Sequence, residues 1–422
     1  MTTKMKVSKI AENIIGSEII KLAGEVNEKI KQGEKIYNLT IGDFNPEEFP
    51  IPTELKQHII NEYSANQTNY PPADGMLELR KSICNLLKER GELDYKPDEI
   101  LIAGGARPII YCIFKALVDP DDTVIFAVPS WNNNHYSYLN NAKSIIIEAS
   151  PEENFMPSAK NIKPYISNAS FIALCSPQNP TGTVFTKEGL EEICDMILDE
   201  NKKRLPSQKP VYLMYDQIYW ALTFGNTKHY NPVSLRPDMK NYTVFVDGIS
   251  KSLAATGVRV GWSMGPKFII DKMKAILTHV GAWAPKAEQV ATANYLSDLP
   301  TYDKFIELQK TKISARLNGF YKGFLELKTA GFKVDAITPQ AAIYLTVQFN
   351  LHGKKTTEGK ILESTADITK YLLDEAKLAI VPFSAFGASG NSSWYRLSVG
   401  TCKLSDVEGA INNVKNALSK LC

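Results

Sequence analysis

The sequence predicts an α/β fold, in which a large domain carries a mostly parallel seven-stranded sheet sandwiched by helices and a smaller α+β domain sits beside it. Three observations predict this. Short apolar runs alternate with helical patterns from about residue 53 to 280, the runs are continuous rather than alternating apolar with polar, and after about residue 300 long helices with a few strands take over. Strands buried on both faces read as continuous runs, and helical crossovers between them make neighbouring strands parallel.

Taken in order, a helical pattern begins at Ser17 and carries Ile19, Leu22, Ala23, Val26 and Ile30 on one face as far as Gly33, where a helix would stop. A short strand over 36–41 ends at Gly42, and Asn45, Pro46, Pro50 and Pro52 mark an irregular crossing between domains. The seven runs follow at 99–103, 123–128, 144–148, 171–175, 211–215, 243–246 and 260–264. Ligands of open sheets gather beyond the carboxyl ends of the strands, which is where Gly104, Pro129, Ser176, Asp216 and Ser250 fall. The remainder reads as a long helix over 302–330, an alternating, half-exposed strand over 342–349 and a helix near 367–377. Strands at 378–382 and 394–399 and a last helix over 405–421 complete it. A chain of 422 residues exceeds the roughly 250 to 300 at which a single core stops growing. Residues 1–50 are expected to form the N-terminal part of the small domain and the crossing, 51–300 the large domain, and 301–422 the rest of the small one.

Composition narrows the class. With 44% hydrophobic and 22% charged residues the chain reads as a globular enzyme, and a formal charge of +2 gives no support to a nucleic-acid-binding surface. The six cysteines show neither a CxxC pair nor regular spacing, which predicts no zinc site and no disulfide framework and suits a reducing cytoplasm. The five histidines are scattered without metal-ligand spacing, so no metal is expected. Lys4, Lys6, Lys9 and Glu12 interrupt the first apolar positions, unlike a secretory signal, and no apolar stretch approaches the ~18 residues of a membrane span.

The candidate chemistry lies at strand ends. Asp216 closes the run 211–215, where a buried charge is expensive unless a cation or several donors meet it. Lys251 follows the run 243–246 among Ser250, Ser252 and Ala254, and a desolvated lysine near other cations keeps a free, nucleophilic amine. Together they supply what a pyridoxal phosphate ring needs, a carboxylate for its protonated nitrogen and an amine for its aldehyde. Gly104 and Gly105 precede a helix whose free N–H groups can hold a phosphate; alone they would read as a plain strand-to-helix turn, and their spacing fits neither GxGxxG nor a P-loop. Arg259 offers a phosphate its forked donors and Ser250 a hydroxyl. Trp131 sits past a strand on the same rim and could stack on a ring, and Asn179, between Pro177 and Pro180, could aim its amide at a phenolic oxygen, as Tyr219 could its hydroxyl. Arg396 leaves a strand of the second domain, placed to grip a substrate α-carboxylate.

With these motifs the chain resembles the fold-type I pyridoxal-phosphate enzymes, and within them the class I/II aminotransferases similar to aspartate aminotransferase, from about residue 17 to the last helix. The resemblance implies pyridoxal 5′-phosphate as cofactor, with Lys251 the Schiff-base lysine, Asp216 the partner of the ring nitrogen, and Tyr219 and Asn179 contacts to the ring oxygen. It implies Trp131 as the stacking aromatic, Gly105 and Ala106 as phosphate amides beside Ser250 and Arg259, Arg396 as the carboxylate clamp, and Gly42 as a backbone neighbour of the substrate. Tyr70, in Asn69-Tyr70-Pro71, resembles the tyrosine that reaches the partner subunit's phosphate, which implies a homodimer.

The chain departs from the family pattern at three points. Asp43-Phe44-Asn45-Pro46 follows Gly42 in place of the usual order, Gly248 stands where many relatives have serine, and Ala106 replaces a lysine of some aspartate-specific relatives. Arg107 or Lys286 could instead meet a distal carboxylate. The expected activity is amino-group transfer between an L-amino acid, aspartate among the candidates, and a 2-oxo acid by double displacement. A carbon-sulfur β-lyase would use the same residues, and a non-catalytic ligand sensor would carry a DNA-binding module ahead of this fold.

Overall fold

A computed structural model describes residues 6–14, 16, 18–131 and 133–422. Thirteen strands are used below. They are β1 (Tyr37–Asn38), β2 (Ile100–Ala103), β3 (Thr123–Val128), β4 (Lys143–Glu148), β5 (Ala169–Cys175), β6 (Tyr212–Asp216), β7 (Thr243–Gly248), β8 (Gly261–Met264), β9 (Val334–Ala336), β10 (Tyr344–Phe349), β11 (Leu378–Ala379), β12 (Val381–Pro382) and β13 (Trp394–Ser398).

The seven expected runs form one seven-stranded sheet in the order β2-β8-β7-β6-β5-β3-β4. Neighbours are parallel except at β8, which runs antiparallel to both β2 and β7. The reversal has a local cause: β7 leads into the four-residue helix Ile249–Ser252 and a loop, and no long helix intervenes before β8. The continuous apolar runs follow from burial on both faces. Ile102, Ile125, Ile172, Leu213 and Phe245 pack into one core layer, while Leu101, Val124, Phe171, Met214 and Val244, each one residue away, pack into the other. The edge strand β4 departs from the expected burial; it has one covered flank, and Ile146 is exposed.

A second, antiparallel sheet has the order β12-β13-β10-β9, and β1 pairs in parallel with β11. The expectation of a half-exposed strand over 342–349 is corrected. β10 is an inner strand, with Phe349 edge-on to Phe324 of the helix Leu299–Thr329 on one side and Thr346 Oγ1 donating to the Thr181 carbonyl at 2.8 Å on the other. The run 378–382 divides between two sheets, and only Tyr37–Asn38 of the strand expected over 36–41 is paired. Ser17, the expected start of the first long helix, lies outside the described residues; that helix spans Glu18–Lys31, with Val26 buried and Ile30 exposed. No helix among the described residues is long and apolar enough to cross a membrane.

Candidate active site

A cavity of about 750 Å³ opens at the carboxyl ends of β5, β6 and β7 and is closed from the other side by side chains of β10 and β13. Its lining includes Gly42, Ala106, Trp131, Asn179, Asp216, Tyr219, Ser250, Lys251, Arg259 and Arg396, ten of the residues expected to act together. Parallel strands project their last residues toward the same rim, and β5 and β6 pair with Cys175 opposite Asp216.

Lys251 lies in the helical turn that follows β7, and its Nζ donates to the Gly42 carbonyl at 2.6 Å. Burial pushes its pKa down to about 8, with Arg396, Arg107 and Arg259 acting in the same direction and Asp43 opposing them. Asp216 accepts from the Ile218 N–H at 3.0 Å, and burial pushes its carboxyl up to about 6. A carboxylate held by one backbone donor suits a cationic ring nitrogen, which would return it to its charged form.

The wall beside Lys251 combines a glycine turn with polar side chains. Gly105 caps the helix Ala106–Leu117 with no side-chain cap, in a left-handed conformation with φ of 96°. A Cβ there would overlap the Arg259 guanidinium, which donates to the Gly104 carbonyl at 2.8 Å and the Thr256 carbonyl at 2.7 Å. Arg259 itself has φ of 63°, a conformation costly for a non-glycine residue that here turns the guanidinium toward the glycine turn. Ser250 is buried at the same wall. Free helix N–H groups, a fork of guanidinium donors and a hydroxyl are a donor set that could hold a phosphate. Gly248 adds no side chain to it: a Cβ there would stand 2.8 Å from Gly261 Cα and 2.9 Å from the Val260 carbonyl, so the backbone of Val260 and Gly261 leaves no room for one.

Arg396 is 1% exposed. It donates to Asn179 Oδ1 at 3.0 Å and to the Thr40 carbonyl at 2.5 Å, and its Nε is without a partner. A buried cation with neutral acceptors only is poised for an anion. Its face lies over the rings of Tyr344 and Phe386, at 4.7 and 4.8 Å. Trp131 lines the cavity with the Arg107 guanidinium 5.5 Å over its ring.

Two expected residues sit elsewhere in this chain. Tyr70 is 82% exposed, edge-on to Trp283 at 5.5 Å and away from the cavity, and Lys286 donates to Asn69 Oδ1 at 2.9 Å in the same outer hollow. Arg107, in contrast, lines the cavity. Sequence reasoning missed Thr256 and Tyr344. Thr256 donates to Asp43 Oδ1 at 2.6 Å and lies in the loop between Lys251 and Arg259, where a hydroxyl was legible. Tyr344 sits on β10, whose pattern carried no motif.

The family Aminotransferase class I and II matches residues 34–414, and the chain belongs to it. It is 27% identical to an aspartate aminotransferase of Bacillus subtilis (strain 168) over 418 residues, covering 99% of this chain and 100% of that protein. Over 400 residues, 93% of either chain, it is 30% identical to a probable aspartate/prephenate aminotransferase of Rickettsia prowazekii (strain Madrid E). The structure of the aspartate aminotransferase from Rhizobium meliloti superimposes with a TM-score of 0.90 at 25% identity, over 99% of this chain and 100% of that one. The chain is thus an aminotransferase of the aspartate aminotransferase type, dependent on pyridoxal phosphate and acting on amino acids and 2-oxo acids.

Proposed function

We propose that the protein transfers the amino group of L-aspartate to a 2-oxo acid, with Lys251, Asp216 and Tyr219 as its catalytic residues. The observation that carries the reading is the juxtaposition, in one cavity, of a lysine with a depressed pKa and a buried arginine that has only neutral partners. Bound pyridoxal phosphate supplies the electron sink that makes the substrate α-carbon acidic.

The chain's residues do the rest. Asp216 holds the proton on the ring nitrogen. Gly105, Ala106, Ser250 and Arg259 would hold the phosphate, Trp131 would pack against the ring, and Asn179 and Tyr219 would donate to its phenolic oxygen. Arg396 pairs with the α-carboxylate while Gly42 borders the substrate with its backbone. Lys251 Nζ, with a pKa near 8, is partly unprotonated at neutral pH and moves the proton from the substrate α-carbon. Aspartate as donor is supported by the relatives' names and by Arg107, a second cation at the cavity wall with no carboxylate partner among the described residues.

The assembly proposed is a homodimer, in which the exposed Tyr70 serves the partner's phosphate site. Residues 51–300 are proposed as the large domain, with 1–50 and 301–422 forming the small one. Six free cysteines support a cytoplasmic location.

The test is a half-reaction. Loaded enzyme given L-aspartate and no acceptor should release one equivalent of oxaloacetate per site and stop, then resume when a 2-oxo acid is added. Lys251→Ala should lower the rate by at least about 10³-fold, the loss expected of a group that is both anchor and base. Continuous release of ammonia and pyruvate from a cysteine conjugate without acceptor would instead mark a β-lyase.

A further inference from the structure

Tyr344 is a buried phenol to which nothing above assigns a task. It is 2% exposed, as is Tyr219, and the two hydroxyl oxygens lie 2.6 Å apart with the rings nearly edge to face. Each phenol has one proton, and one hydrogen bond joins them, so the pair presents one uncommitted donor. Neither hydroxyl has another partner among the described residues, and both side chains line the cavity. The ring of Tyr344 has a second contact. Thr346 pairs directly with Arg396 across β10 and β13, which puts Tyr344 on the same face two residues along, and the Arg396 guanidinium stands 4.7 Å over its ring. Gly42 leaves the space: a Cβ there would come within 2.6 Å of the Tyr344 hydroxyl.

We propose that Tyr344 is a positioning residue that works at both ends of the site, its hydroxyl donating to Tyr219 so that the Tyr219 proton is directed at the cofactor's phenolic oxygen, and its ring supporting the guanidinium that takes the substrate carboxylate. An anionic oxygen in the cavity polarises the pair in that order, because a phenol that accepts a hydrogen bond is the better donor of its own proton. Arg396, Lys251, Asp43 and Cys175 are the charged and titratable groups facing the pair. Burial raises both phenols and Arg396 acts against it; without an anion the bond between them raises Tyr219 and lowers Tyr344, the order that an anionic oxygen accepting from Tyr219 reverses. The inference rests on the cofactor and carboxylate roles proposed above, and deepens them.

The experiment follows the pH midpoint of the visible band of the cofactor-loaded enzyme without substrate, beside the steady-state constants for L-aspartate. Tyr344→Phe keeps the ring and removes one oxygen. It should raise the midpoint by about half to one pH unit, the size of one neutral hydrogen bond, because the phenolic oxygen loses stabilisation as an anion. KM should change less than threefold. Tyr344→Leu removes the ring as well and should raise KM about tenfold in addition. Phe386→Leu strips the other ring from Arg396 and should raise KM with the midpoint unmoved. In a Tyr219→Phe background, Tyr344→Phe should move the midpoint no further, since its effect passes through Tyr219.

A midpoint unchanged by Tyr344→Phe, or a shift of equal size in the Tyr219→Phe background, overturns the proposal. The midpoint measurements need no turnover. An enzyme that binds cofactor and shows the shifts but leaves aspartate untouched refutes the donor assignment alone.

Discussion

At the residue scale, the tips of β6 and β7 carry two acids with different surroundings. Asp216 faces the cavity, whereas Asp247 is 1% exposed and held by the Gly248 N–H at 2.7 Å and the Gln217 amide at 3.5 Å. Burial pushes Asp247 up to about 8, so it is protonated at neutral pH. Gln217 Oε1 has no partner, and exchanging the amide's oxygen and nitrogen places that acceptor opposite the Asp247 proton. The folded state then keeps a proton that the unfolded chain gives up near pH 4. Stability from this group is therefore lost as pH rises from about 4 to 8 and is constant above. Asp247→Asn, neutral throughout and still a donor to Gln217, should unfold at higher denaturant than the wild type. The gap should widen across that window to an order of a few kcal/mol. Parallel pH dependence of the two chemical denaturation midpoints would sink the idea.

At the element scale, the legible parts of the sequence were those with a periodic or covalent signature. The seven runs, the strand-end residues Asp216 and Lys251, and the glycine turn before the helix Ala106–Leu117 could be read because burial on both faces and unusual backbone needs leave marks in composition. The direction of β8 could not, since an apolar run reads the same whether its neighbours are parallel or antiparallel. Nor could the burial of β10, which depends on the Thr181 loop arriving from a distant segment. Tyr344 was illegible for the same reason: its meaning comes from Tyr219 and Arg396, both remote in sequence. The glycine turn makes a sharp prediction. Gly105→Ala must adopt a positive φ and displace Arg259, so the protein without cofactor should lose about 2 kcal/mol of stability and the cofactor dissociation constant should rise at least about tenfold. Equilibrium unfolding and a fluorescence titration with pyridoxal phosphate measure the two effects separately.

At the scale of the whole molecule, both sheets contribute to one cavity, with Arg396 and Tyr344 coming from the small sheet, Asp216 from the large one and Lys251 from the helical turn that follows its strand β7. The exposed Tyr70 and its neighbour Trp283 lie on the outside of that arrangement, where a second copy can meet them. Tyr70→Phe should leave the thermal unfolding of the cofactor-free chain within about 0.5 kcal/mol of wild type, as surface changes do. It should weaken pyridoxal phosphate binding about tenfold, the value of a charge-assisted hydrogen bond. Sedimentation of the wild type should give twice the chain mass, and a monomeric species that binds cofactor at full affinity would contradict the shared site.

The placement of β8 between β2 and β7 has a consequence for synthesis. During translation β2 emerges long before the strand that will lie beside it, and its hydrogen-bonding edge waits through the making of five others. β1 waits longer still, for β11. Nascent chains of intermediate length therefore carry β2 as an unpaired, apolar strand, the kind of surface that chaperones bind and that aggregates when they do not.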